Sequence, residues 1–267
     1  MKEVVANSVE MPGTEGLGLL RETMRQLLLP RGGLTLDQVN ALNEHRNPFD
    51  KKAFTIQDVI KVLGKEKVVT TGQSGKFWKR DAPTGLPILL TESELAAMAE
   101  QNKAGAADWR VVFVLGMSLR EQFALRGDDP AAKPCFYKEW DLWRKPEQDG
   151  WALRRPGGAG YAVLDVRKRL HGMAIVTQDS ELAKLGPEFF RADECDVTEA
   201  AFSVFGVHNE LLLPGWYHWG SSVTTNRCRV CVGIHDDSGW GVDSVHPDGV
   251  RDDIGMVVAR KFLRLAA

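Results

Sequence analysis

Cys228-Arg229-Val230-Cys231 has the spacing of a metal knuckle. A structural zinc site needs four ligands at characteristic spacings. Here no second pair exists: Cys135 and Cys195 stand alone, and His235 is the one nearby imidazole. The pair also falls in a stretch that reads as a strand, where positions i and i+3 face opposite sides. Two half-buried thiols are expected, with no metal. Asp236, Asp237, Asp243, Asp248, Asp252 and Asp253 offer hard oxygen ligands, but their spacing matches no calcium loop. A solvated acidic loop is expected instead. His208, His218, His235 and His246 fall within forty residues. An imidazole acts in catalysis beside a nucleophile and an orienting acid. Ser221 and Ser222 are available, without triad spacing. Gly157-Gly158-Ala159-Gly160 precedes a strand instead of following one, so it is no dinucleotide fingerprint. There is no Walker sequence and no Gly-x-Ser-x-Gly elbow. The expectation is no catalytic residue, no metal ligand and no cofactor.

What remains is a surface. Val223 to Asp253 mixes small, polar and aromatic side chains and carries Gly233, Gly239, Gly241 and Gly249, without a clean period. Scaffold elements show their period, and loops on rigid scaffolds gather binding residues. The candidate ligand-binding side chains are therefore Trp219, Ser221, Val223, Thr224, Thr225, Arg227, Arg229, His235, Asp236, Asp237, Ser238, Trp240, Asp243, Ser244 and His246. They are expected to be mostly exposed and contiguous. Alternation puts Trp216 and His218 on one face of a strand, and Tyr217 and Trp219 on the other. One face must be core; the other is available to line a binding surface.

The elements that hold this stretch read in order along the chain. Leu17 to Leu28 has helical spacing. Thr35-x-x-Gln38, Thr55-x-x-Asp58 and Thr91-x-x-Glu94 are capping boxes that open helices, and Gly64 stands at a C-cap. Residues 67–71 and 76–80, around Gly72-Gln73-Ser74-Gly75, read as a hairpin. Residues 35–63 invite a helix-turn-helix, but Lys61 is the only base on the second helix, and a packing layer is the better reading. Further strands are expected at 109–115, 161–166, 210–219, 227–234 and 254–262, with helices at 118–125, 180–185 and 197–205.

The 267 residues carry 34 basic and 36 acidic side chains, a formal charge of -2. That gives no electrostatic footprint for nucleic acid or an anionic membrane. Four cysteines are too few for a disulfide framework. No signal peptide, lipidation motif or apolar run of spanning length is visible, so a cytoplasmic location with reduced thiols is expected.

The order of these features resembles the C-type-lectin-like fold of the formylglycine-generating type, in particular the variable proteins of diversity-generating retroelements. The resemblance covers Lys138 to Phe262. It rests on Gly160-Tyr161-Ala162-Val163-Leu164-Asp165, on Trp219-Gly220-Ser221-Ser222, and on the closing Ile254-Gly255-Met256-Val257-Val258-Ala259-Arg260, where this chain has Gly-Met-Val in place of Gly-Phe-Arg. It implies a C-type-lectin-like domain (106–267) built on a small twisted antiparallel sheet; with the helical N-terminal region and small hairpin read above (1–105), an α+β protein is expected. It further implies a ligand-binding protein without catalysis, whose C-terminal surface is rewritten at adenine positions by an error-prone reverse transcriptase. The partner would be an unidentified ligand, a protein before any other class. The alternative within the same fold is a formylglycine-generating oxidase holding copper through Cys228 and Cys231.

Overall fold

Capping boxes start four of the described helices. Thr55 with Asp58 opens α1 (Ile56–Leu63), Thr70 with Gln73 opens α2 (Thr71–Trp78), Thr91 with Glu94 opens α3 (Glu92–Lys103), and Ser118 with Glu121 opens α4 (Leu119–Arg126). In each, the hydroxyl accepts the N3 amide and the N3 side chain accepts the cap amide, so two orphan donors are satisfied at once. The structure is a computed structural model that describes residues 54–260 apart from 85, 87, 89 and 140. The helices expected near residues 17–28 and 35–42, Trp140, and the chain beyond Arg260 lie outside the described residues. Contacts divide the chain between Lys52 and Ala53, and every described residue belongs to the second unit. That unit, Ala53–Ala267, contains the described part of the region expected at 1–105 together with the region expected at 106–267.

The hairpin expected at 67–80 is not formed. Thr70-x-x-Gln73 is a fourth capping box, and it outweighs the two glycines that suggested a turn. Helix α2 follows, and its Trp78 indole donates to Ser203 Oγ at 2.8 Å.

The strands are β1 (Val68–Val69), β2 (Trp109–Val114), β3 (Gly160–Arg169), β4 (Phe189–Arg191), β5 (Tyr217–Val223), β6 (Arg229–Asp236), β7 (Gly239–Val245) and β8 (Ile254–Arg260). Short α5 (Asp149–Ala152) precedes β3. Helices α6 (Ile175–Ala183) and α7 (Glu194–His208) lie between β3 and β5. The sheet runs β1-β2-β3-β8-β5-β6-β7, with β4 also paired to β8. The small antiparallel sheet expected from sequence is corrected on two counts. Among the described residues the sheet has eight strands, and β1/β2 and β5/β8 run parallel. The result is an α+β architecture with a large mixed sheet and, among the described residues, seven α-helices.

Burial explains which segments were legible. β2 is buried at all six positions, because Val112 and Val114 face one core while Val111 and Phe113 face another. A strand covered on both sides reads as a continuous apolar run. Its partner β3 splits the same way, with Ala162 and Leu164 opposed to Tyr161 and Val163. α7 is buried from Glu194 to Val204 and runs beneath the sheet. Its Phe202 stacks on Trp78 and meets Phe136 and Trp240 edge-on.

β7 was not expected, and its neighbour β6 was expected two residues early. Gly233 explains part of the lost pattern. Its φ is +149°, and a Cβ there would lie 2.2 Å from the Trp216 carbonyl. Side-chain alternation breaks at that residue, in a register shift between Gly233 and Asp236. β5 begins at Tyr217, not Glu210, since Pro214-Gly215 intervenes and Gly215 takes φ +70°.

Candidate functional site

The fifteen side chains expected on a displayed surface divide by position. Ser221, Val223, Thr225, Arg227, Asp236, Asp237, Ser238 and His246 are exposed, and Arg229, Asp243 and Ser244 are half-buried. Trp219, Thr224, His235 and Trp240 are buried, contrary to expectation. Each has a physical reason. Trp219 joins Tyr217, Cys231, Ile254 and Ile175 in a small third core. Both faces of β5 are therefore covered, whereas one had been left for binding. Trp240 donates its indole N–H to Thr198 Oγ1 at 3.0 Å on α7. His235 lies against Phe202, Phe205 and Trp240, and burial pushes its imidazole down to about 4, so it is neutral. Thr224 closes the β5–β6 turn, where its amide donates to the Cys228 carbonyl at 2.8 Å and its hydroxyl accepts the Cys228 amide.

The start of the displayed stretch is anchored to α7. Glu194 is fully buried, and its carboxylate accepts the Ser221 amide at 2.7 Å and the Ser222 amide at 3.3 Å. Gly220 makes this possible: a Cβ there would sit 2.5 Å from a Glu194 oxygen. Arg154 completes the anchor, with Nη2 2.5 Å from Asp193 and 2.9 Å from Glu194. Burial opposes charge on both partners, yet the hydrogen bond with Ser222 and the guanidinium hold Glu194 below the ordinary carboxylate range. The Trp-Gly-Ser-Ser segment is thus a clasp between the sheet and α7. One residue earlier, His218 bridges elements from within the core. Its Nε2 donates to the Ala192 carbonyl, and its Nδ1 accepts the Val257 amide, both at 2.9 Å. Burial and then Arg191 push it down to about 3, so it serves as a neutral cross-link.

Beside the exposed turn lies a cleft of about 560 Å³, a size typical of small-ligand sites. One side is formed by Glu139, Leu142, Trp143, Glu147, Gln148 and Trp151, and the other by Thr224–Asn226 and Val242–Ser244. A hydrogen-bond chain spans it. The Trp151 indole donates to Gln148 Oε1 at 2.8 Å, and Gln148 Nε2 donates to Thr225 Oγ1 at 3.1 Å. Four residues named from sequence, Thr224, Thr225, Asp243 and Ser244, thus share one concavity. The lining residues between 139 and 151, Asn226 and Val242 were missed. The available signal was two tryptophans among acidic residues, in a segment broken by Pro146 and Gly150 and too irregular for a core helix.

Cys228 and Cys231 are both free thiols in different surroundings. Cys231 is buried in the small core with Trp219, and burial pushes its thiol well up. Cys228 precedes β6 and is half-buried. Among the described residues, one group of three potential metal ligands converges: Asp193, Glu194 and Cys195. The Arg154 guanidinium already lies against both of its carboxylates. A thiol titration of the folded protein is expected to find Cys228 reacting first, with Cys135, Cys195 and Cys231 reacting only on unfolding. Fast reaction at Cys231 would show that the small core is open.

Comparison with protein families, with characterised proteins and with solved structures finds no match.

Proposed function

We propose that this chain is a non-catalytic ligand-binding protein that displays a diversifiable C-terminal surface on a C-type-lectin-like scaffold, in the manner of the variable proteins of diversity-generating retroelements. The observation that carries the reading is the separation of frame from surface between residues 216 and 260. Frame residues such as Val230, Val232, Trp240 and Val257 are buried, while the turn residues Thr225, Arg227, Asp236, Asp237 and Ser238 are exposed. The connectivity also supports it: β3 leads into two helices and then β5, β6 and β7, and β8 returns antiparallel to β3. A binding surface that must tolerate replacement needs side chains whose loss leaves the core intact.

The test has two parts. Simultaneous replacement of Thr225, Arg227, Asp236 and Ser238 is expected to shift stability by no more than about 1 kcal/mol, since surface substitutions individually stay within about 0.5. Val257→Ala, in the buried frame, is expected to cost about 2–3 kcal/mol. Comparable losses in thermal melts would make the turns part of the core. The gene's surroundings decide the retroelement. A template repeat beside a reverse transcriptase should differ from the gene at adenines in the codons of exposed residues. Differences confined to codons of Val230, Val232 and Val257 would overturn the reading.

A further inference from the structure

We infer that the cleft beside the β5–β6 turn receives a basic side chain, lysine or arginine, from a protein partner; this rests on the binding reading above and names its ligand class. Three carboxylates, Glu139, Glu147 and Asp243, line the cleft, and no basic side chain lines it. The surroundings handle acids differently. Asp149 is paired with Arg120 at 2.5 Å, Asp128 with Arg144 at 2.7 Å, and Asp193 with Arg154 at 2.5 Å. Among the described residues, none of the three cleft carboxylates has such a partner. Arg144, close by in sequence, is committed to Asp128 and to the Lys138 carbonyl and lies over Phe123. The cleft therefore concentrates negative charge in a concavity with low-dielectric walls, which focuses the field on an incoming cation.

The apolar part of the cleft selects among cations. Trp143 and Trp151 belong to the core and close the bottom of the cleft, and Leu142, 69% exposed, supplies its open apolar surface. Lysine and arginine bury a methylene stem along apolar surface while the charged head stays among polar groups. A bare metal ion would use the carboxylates and leave the exposed Leu142 idle. An acidic or neutral segment would leave the carboxylates uncompensated. One carboxylate, Asp243, also accepts the Ser244 amide at 2.7 Å, which fixes its direction. Asp243 belongs to the stretch proposed to vary, whereas Glu139 and Glu147 belong to the opposite side. Charge selection would thus be partly constant, with the varied side tuning which basic segment fits.

The experiment uses the full chain and end-blocked peptides of five lysines, five glutamines and five glutamates, followed by tryptophan fluorescence and backbone amide shifts. The lysine peptide is expected to bind, to perturb residues 142–151 and 224–226, and to weaken as salt is raised. The double variant Glu139→Gln/Glu147→Gln is expected to weaken it about five- to tenfold, the sum of two exposed charge contacts. Glu181→Gln on α6, outside the cleft, is expected to leave it unchanged. Lysine-peptide affinity equal in the double variant, or preference for the glutamine or glutamate peptide, would overturn the inference while leaving a displayed binding surface in place. Butylammonium binding as tightly as the peptide would also overturn it, in favour of a small free amine. Failure of the gene-neighbourhood test alone would remove the retroelement and leave the cationic preference standing.

Discussion

Glu199→Leu is expected to destabilise the protein by about 3–5 kcal/mol, more than removing an ordinary buried leucine contact. Glu199 is fully buried on α7, and the backbone amides of Leu115, Gly116 and Met117 all donate to its carboxyl group, the last two at 3.1 Å. These three residues form the turn between β2 and the capping box of α4. Leucine would leave three buried N–H groups without an acceptor, at roughly 1–3 kcal/mol each before relaxation. Titration separates this role from simple packing. Burial pushes the carboxyl up to about 8, with Asp196 adding to the rise and the three amides opposing it. The folded protein then holds a proton that the unfolded chain releases near the ordinary 4.5. Its contribution is complete below 4.5 and is lost as pH rises through about 8. Glu199→Gln keeps the shape and removes the titration. Wild type is therefore expected to lose about 3–5 kcal/mol relative to the Gln variant between pH 5 and pH 8.5. Urea unfolding of both proteins across that range measures it. Parallel stability curves would show that the three amides hold the group ionised throughout.

Arg154→Met is expected to cost about 3–5 kcal/mol, because it leaves Glu194 as a buried, uncompensated carboxylate. The partner's exposure decides the magnitude: Glu194 is 0% exposed, although Arg154 itself is 37% exposed. Glu194→Gln alone is expected to cost less, since an amide oxygen still accepts the Ser221 and Ser222 amides. The double variant should cost well under the sum of the two, with a coupling of about 1–3 kcal/mol. Additive losses in denaturant melts would show that Arg154 acts only through its stem. Amide exchange at Ser221 and Ser222 offers a second readout, and it should rise in both single variants if this clasp holds the beginning of the displayed stretch.

The legible parts of the fold were those in which one local signal dominates. Three of the four described capping boxes, at Thr55, Thr91 and, as a helix start, Ser118, marked their helices to within two residues. β2 was legible because both of its faces are covered. The remainder depended on tertiary partners that a sequence does not display. Gly72 and Gly75 imitate a turn, yet Trp78 reaching Ser203 and a capping box make that segment helical. Trp219 and Trp240 have the composition of binding anchors, and only the pairing of β5, β6 and β7 reveals that they face inward. The cleft was half visible. Its turn side was named from aperiodicity, whereas its opposite side comes from residues some eighty positions earlier, brought there by folding.

β8 has a consequence beyond packing. Among the described residues it is the one strand that joins the β1-β2-β3 half of the sheet to the β5-β6-β7 half, and it is also the last strand in the described chain. Leu164 must wait for Ala259, so during synthesis the sheet stays in two pieces until the ribosome has passed the exposed turns. Long sequence separations of this kind slow folding. They also proofread. A frameshift or stop codon arising between residues 221 and 248 removes β8, and at the early end of that interval β6 and β7 as well, so the β3 edge that β8 covers is left open. Substitutions at exposed positions of that interval, such as Thr225 or Asp237, leave β8 in the chain; reading-frame errors do not.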